Sequence, residues 1–254
     1  MITKTELNRT AELKHLSLRN AERDYLLELM LFNLTDFRRI LVFKGGTALY
    51  KFYNLNRFSE DLDFDIAGKQ INTDALTKKV LRGFELTGIK RTLLETMKHS
   101  NEINIRFFVR GPLYDGSKNS MSRVTLNLSK RERPMLTSNK MLITGYPEIP
   151  SFEVNVLDAK EIVAEKIRCI MTREKPRDIY DLWFLYKRKT LVDLSLINKK
   201  LKLYNLVFDR TLFYEKLQQK CNMWTQDLKG LVIGTLPPFD DVFAELELWS
   251  KTWI

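Results

Sequence analysis

Residues 43–66 read Phe43-Lys44-Gly45-Gly46-Thr47-Ala48-Leu49-Tyr50-Lys51-Phe52-Tyr53-Asn54-Leu55-Asn56-Arg57-Phe58-Ser59-Glu60-Asp61-Leu62-Asp63-Phe64-Asp65-Ile66, and the last six alternate acid with apolar. Successive side chains of a strand point to opposite faces, so Asp61, Asp63 and Asp65 share one face while Leu62, Phe64 and Ile66 share the other. The apolar face anchors in a core. The acidic face holds like charges about 6.6 Å apart, which is unfavourable unless a cation lies between them; a solvated sheet edge is the plain alternative. Ahead of the strand, Leu41-Val42-Phe43 is a short apolar run stopped by Lys44-Gly45-Gly46, and Thr47 is placed to cap a short helix running to about Tyr53. A Gly-Gly turn that opens a helix offers unobstructed backbone amides and the positive end of a helix dipole, which suits a triphosphate. Taken alone it also reads as an ordinary strand-to-helix turn. Two carboxylates on one face can hold a divalent metal, and Mg²⁺ suits oxygen ligands and shares its shell with substrate phosphate. The stretch has neither the Walker spacing nor the dinucleotide fingerprint. An EF-hand fails because Ile66 stands where its loop needs Gly and Asn72 where it needs Glu.

Working outward, Leu13, Leu16, Tyr25, Leu26, Leu29 and Met30 are spaced for one or two amphipathic helices within 6–34. Past the acidic strand a helix is expected over 73–87, strands over 103–109, 123–128 and 152–156, and a loop over 111–122. From Asp158 the pattern turns helical, with Glu161 three residues on as a capping-box variant, a second helix near Pro176, and a last one over 239–253 after Pro237-Pro238. On the first of these helices Lys166 lies one turn from Ile162 and one from Ile170, within an apolar stripe. Its ammonium either snorkels at the core edge, the reading its neighbours favour, or is aimed into a site. Asp178 and Asp181 are i, i+3 neighbours on the next helix. A structural ion pair with Arg177, Arg173 or Lys166 is the competing reading for both. The expected fold class is α+β: a mixed sheet flanked by helices over 1–150, then a helical domain over 151–254.

Composition fits a globular chain: 254 residues, 44% apolar, only 10 Gly and 7 Pro. No run approaches the ~18 apolar residues of a membrane span, and the charged first 20 residues lack a secretory apolar region, so no membrane association and a cytoplasmic location are expected. Cys169, Cys221, His15 and His99 are too few and too scattered for disulfide, zinc or histidine-triad chemistry. The net charge of +10 is concentrated in two blocks, +9 over 77–141 and +6 over 186–220. Such blocks fit a polyanionic partner or a solubilising surface, and charge alone does not choose.

The glycine turn followed by the Asp-x-Asp strand resembles the nucleotidyltransferases. Together with AEKIRCIMTREKPRDIYDLWFL at 164–185 it resembles, within them, the AbiEii/AbiGii toxin family, with the likeness running from about Leu41 to Leu185. The resemblance implies a nucleotidyltransferase-like sheet domain whose cleft is completed by the helical domain. It implies that Asp61 and Asp63 bind Mg²⁺ (or Mn²⁺), that Lys44, Gly45, Gly46, Arg57 and Ser59 bind the nucleotide, and that Lys166 and Asp181 join Asp61 and Asp63 as catalytic residues. The pattern often includes a third carboxylate on a later strand. Here the matching segment, 124–128, offers Asn127, which can neither act as a base nor supply charge, so Asp181 or Asp65 is left to supply the acid. The implied activity is that of a toxin moving nucleotides from an NTP to RNA, foremost a tRNA 3′ end, with a cognate antitoxin as a possible partner. Nucleotidylation of a protein hydroxyl and a degenerate nucleic-acid-binding module are the alternatives.

Overall fold

The computed structural model of the chain describes residues 1–68 and 71–253. They divide into two compact units: residues 1–53 with 58–156, and residues 54–57 with 157–254.

The first unit begins with helices α1 (Lys4–Leu13) and α2 (Leu18–Asn33). Thr3 and Glu6 close a reciprocal capping box on α1, and Ser17 caps α2 by accepting from the Asn20 amide. Strand β1 (Leu41–Lys44) runs into α3 (Gly45–Tyr53), followed by β2 (Asp61–Ile66), α4 (Thr73–Leu86), β3 (Lys90–Lys98), β4 (Glu102–Arg110), β5 (Ser122–Ser129), β6 (Thr137–Leu142) and β7 (Phe152–Leu157). These strands form one seven-stranded mixed sheet in the order β3-β4-β5-β2-β1-β7-β6. Strand β2 pairs antiparallel with β1 and parallel with β5, so the acidic strand sits at the centre. Its apolar side chains join Phe43, Val124, Leu126 and Phe107 in the core, where the Phe43 and Phe64 rings meet at a tilt with centres 5.0 Å apart and Phe84 of α4 meets Phe107 edge-on at 6.0 Å.

The period-two reading of β2, β4, β5 and β7 matches the strands observed, but β3 and β6 do not register in the sequence. Both are sheet edges. Strand β3 buries no residue fully and is charged or polar at most positions, as edges that resist pairing with other chains are. Thr47 does not cap α3. The helix begins two residues earlier at Gly45, and the Thr47 hydroxyl, fully buried, donates to the Asp61 carbonyl at 2.5 Å, fastening α3 to the start of β2. Strand β7 stays with the sheet, beyond the division expected at 150.

The second unit contains α5 (Ala159–Thr172), α6 (Arg177–Lys187), α7 (Leu194–Lys202), α8 (Arg210–Gln218), α9 (Trp224–Leu228) and α10 (Phe239–Ser250). Ile162, Ile167, Ile170, Ile179, Leu182 and Leu201 are buried in it. Asp158 caps α5 by accepting from the Lys160 amide, but Glu161 does not return the bond. Its carboxylate is buried and accepts from Lys200 Nζ at 2.6 Å. A tertiary ion pair outcompetes the local cap there. Residues 54–57 belong to this unit through Asn56, which accepts from the Tyr180 hydroxyl at 2.9 Å, and through Arg57.

Candidate active site

In the first unit the structure brings together Lys44, Gly45, Gly46, Asp61 and Asp63. Asp61 and Asp63 stand on one face of β2, each half-buried, and the strand register sets Asp61 opposite Thr125 and Asp63 opposite Asn127 of β5. Gly45 adopts φ +76°, and a Cβ there would lie 2.7 Å from Asp63 Oδ2. Any other residue would be strained and would push the carboxylate away, so glycine is what lets Asp63 sit at the opening of α3. Asn127 Nδ2 donates to Asp63 Oδ1 at 2.9 Å. The amide thus occupies the position considered for a third carboxylate and binds the second one.

Asp65 shares the strand face but is fully buried, with Lys44 Nζ 2.8 Å from its Oδ1. It is a buried partner of Lys44 and not an open ligand. Among the described residues no cluster of three or more acidic, histidine or cysteine side chains is arranged to hold a metal. What remains is a two-carboxylate oxygen site. Its electrostatics suit a cation: burial and the charge of Asp63 push the Asp61 carboxyl above its ordinary range, although a hydrogen bond from Thr125 and the Arg123 charge pull the other way. A hard divalent ion would relieve that repulsion, so the donor set fits Mg²⁺ or Mn²⁺ with the rest of the shell supplied by substrate and water. Ser59, half-buried, lies two residues before β2.

The second unit gathers Arg57, Lys166 and Asp181. Arg57 is 1% exposed, and its Nε and Nη2 donate to Asp181 Oδ1 and Oδ2, each at 2.7 Å. Lys166 does not snorkel. Its Nζ is 2.6 Å from Asp181 Oδ2 and 2.8 Å from Asp178 Oδ1, and the residue is 5% exposed. Arg173 adds a two-pronged contact to Asp178 at 2.7 and 2.8 Å. Burial works against each charge, yet the partners outweigh it: Asp178 and Asp181 are held below the usual carboxylate range and Lys166 above the usual lysine value. The ion-pair reading therefore describes how Lys166, Asp178 and Asp181 are held. The partnership of Arg57 with Asp181, 124 residues apart, has no local signal in the sequence. The Asn127 contact was open to inference, because the alternation of β5 places Arg123, Thr125 and Asn127 on its polar side.

The comparisons bear on the family and the fold. The family model for the AbiEii nucleotidyl transferase toxin of type IV toxin–antitoxin systems matches residues 29–245. MenT4, a nucleotidyltransferase toxin of Mycobacterium tuberculosis, has a similar fold, with TM-score 0.64, 20% identity, and 98% of this chain and 88% of that one covered. A candidate nucleotidyltransferase of Helicobacter pylori superposes with TM-score 0.65 at 24% identity, covering 93% and 95% of the two chains. JHP933, also from Helicobacter pylori, gives 0.61 at 23%, covering 93% and 92%. No curated protein matches the chain. At these identities the solved structures speak for the fold. The match of the family model over most of the sequence goes further, and by it the chain belongs to the AbiEii nucleotidyl transferase toxin family.

Proposed function

We propose that the chain transfers a nucleotidyl group from an NTP to an RNA hydroxyl, with a tRNA 3′ end as the leading acceptor. The observation that carries this reading is the pair Asp61 and Asp63 facing the glycine start of α3, with room for the Asp63 carboxylate only because Gly45 has no side chain. Asp61 and Asp63 would hold Mg²⁺ or Mn²⁺, which supplies positive charge against the triphosphate and lowers the pKa of the acceptor hydroxyl. The amides of Gly45 and Gly46 favour phosphate oxygens at the helix start. Lys44 offsets Asp65 beside them, and Ser59 completes this part of the nucleotide set. Lys166, Asp181 and Arg57 are the second unit's proposed contribution, positioned through their mutual ion pairs. In the reaction the acceptor oxygen bonds to the α-phosphorus as the bond to pyrophosphate breaks.

A cognate antitoxin as partner follows from the family's place in type IV toxin–antitoxin systems. A cytoplasmic site of action fits the substrates. No helix among the described residues is long and apolar enough to cross a membrane. The deciding experiment incubates the protein with Mg²⁺ or Mn²⁺, labelled NTP, and either total RNA or protein. Label in RNA is expected. Label in protein would favour a protein hydroxyl as acceptor, and label in neither would point to a degenerate nucleic-acid-binding module.

A further inference from the structure

A groove of about 1060 Å³ opens in the first unit, lined by the start of α2, by β3 and β4, and by the 111–122 connection into β5. It is slightly larger than what a small-molecule pocket occupies, about 300–1,000 Å³. Leu93, Phe108 and Met121 give it apolar surface. Apart from Arg23, which pairs with Glu60, its charged residues divide into two groups. The acids are engaged within the protein: Glu22 accepts from the Leu113 amide at 2.7 Å and from the Ser122 hydroxyl, Asp115 accepts from the Ser117 amide at 2.9 Å, and Glu95 pairs with Arg106 at 3.5 Å. Arg19, Lys118 and Arg123 are exposed, and none of them makes an ion pair among the described residues. The groove therefore offers uncommitted positive charge over an apolar surface that contains an aromatic ring.

Its lining neighbours the carboxylate site through the sheet register and the chain. Phe108 is paired with Arg123 in the sheet register, and Arg123 stands two residues before Thr125, the residue opposite Asp61. At the other wall Arg23, a lining residue, pairs with Glu60, next to Asp61 in the chain. We infer that this groove holds the unpaired 3′-terminal segment of the acceptor, its phosphates on Arg19, Lys118 and Arg123 and a base against Phe108, leading its terminal hydroxyl to Asp61 and Asp63. The inference rests on the RNA-acceptor reading. Unpaired nucleic acid is held by this combination of a basic track and a stacking ring, and the +9 block over 77–141 supplies Lys118 and Arg123.

The test is fluorescence anisotropy with a labelled single-stranded oligoribonucleotide bearing a free 3′ hydroxyl, with NTP affinity and melting temperature measured in parallel. Arg19→Glu/Lys118→Glu is expected to weaken RNA binding by about tenfold or more and to reduce the steepness of the log–log salt dependence by about 1.4, the share of two phosphate contacts on a single strand. Phe108→Leu keeps an apolar side chain and is expected to weaken binding by about fivefold or more at every salt concentration, with the slope unchanged. NTP affinity stays at the wild-type value in both. A double variant that binds RNA like the wild type overturns the placement and leaves the groove to a protein partner. A wild-type chain that does not bind the oligonucleotide fails differently, because it overturns the acceptor reading itself.

Discussion

Three residues decide how the carboxylates are presented, and each does so by a different means. Gly45 gives space, Thr47 fixes the start of β2 through the Asp61 carbonyl, and Asn127 orients Asp63. Gly45→Ala should cost about 1–2 kcal/mol from the left-handed backbone alone and should also displace Asp63, so melting temperature and transfer rate fall together. Asp63→Ala should abolish transfer with the fold intact, because it removes a like charge from beside Asp61. A folded Asp63→Ala protein with wild-type turnover would disprove the metal assignment. Asn127 can be examined through pH. Asp61 is already pushed above its ordinary range by burial and by Asp63. A third carboxylate pushes it the same way, and a proton competes with the metal. Asn127→Asp should therefore move the pH of half-maximal Mn²⁺ binding upward, and Asn127→Ala, which removes a donor to Asp63 but adds no charge, should move it less.

At the scale of elements, α5 and α6 are joined by charges, of which the sequence pattern alone assigned Lys166 to a core edge. Lys166 with Asp178 and Asp181 is a buried network, and removing Lys166 leaves each carboxylate with a single cation, Arg173 or Arg57, in a low-dielectric setting. Lys166→Met should destabilise at neutral pH by less than the about 3–5 kcal/mol of a fully uncompensated buried charge, because Arg57 and Arg173 keep the two aspartates paired; a snorkelling lysine would have been nearly silent. The folded pKa values of Asp178 and Asp181 lie below their unfolded values, so their stabilisation is present above about pH 3.9 and is lost as pH falls through the depressed folded values. Lys166 is shifted upward, so its share holds below about pH 10.4 and is lost as pH rises through the folded value. Denaturant titrations of Lys166→Met should accordingly show a penalty that shrinks in acid, once the two aspartates are protonated. A penalty that stays constant even as pH falls through the depressed folded values would contradict the buried-pair account.

For the whole molecule, the net charge of +10 and the two-carboxylate site give opposite ligand preferences in one chain. If Asp61 and Asp63 hold the metal, excess Mg²⁺ or Mn²⁺ should raise the melting temperature by mass action, by about 2.7 kcal/mol of stability at 100 times Kd. Asp61→Asn/Asp63→Asn should lose that increment while melting no lower than the wild type without metal. Calorimetric scans with and without the ion check this independently of any transfer assay.

Sequence alone determined the central strand, its two faces and the glycine turn, because period-two alternation and a Gly-Gly pair are local statements about where side chains can point. It also carried the family, since both stretches behind the resemblance are contiguous. The edge strands β3 and β6 were not legible, because an edge is exposed and polar and shows no alternation to read. Tertiary structure decided the partners. The backbone register placed Asn127 against Asp63, and folding of residues 54–57 into the second unit carried Arg57 to Asp181. Lys166 was decided in the same way. Its helical spacing showed which stripe it shares, but whether a buried ammonium finds water or carboxylates depends on the helix packed against it, and that is a property of the folded chain.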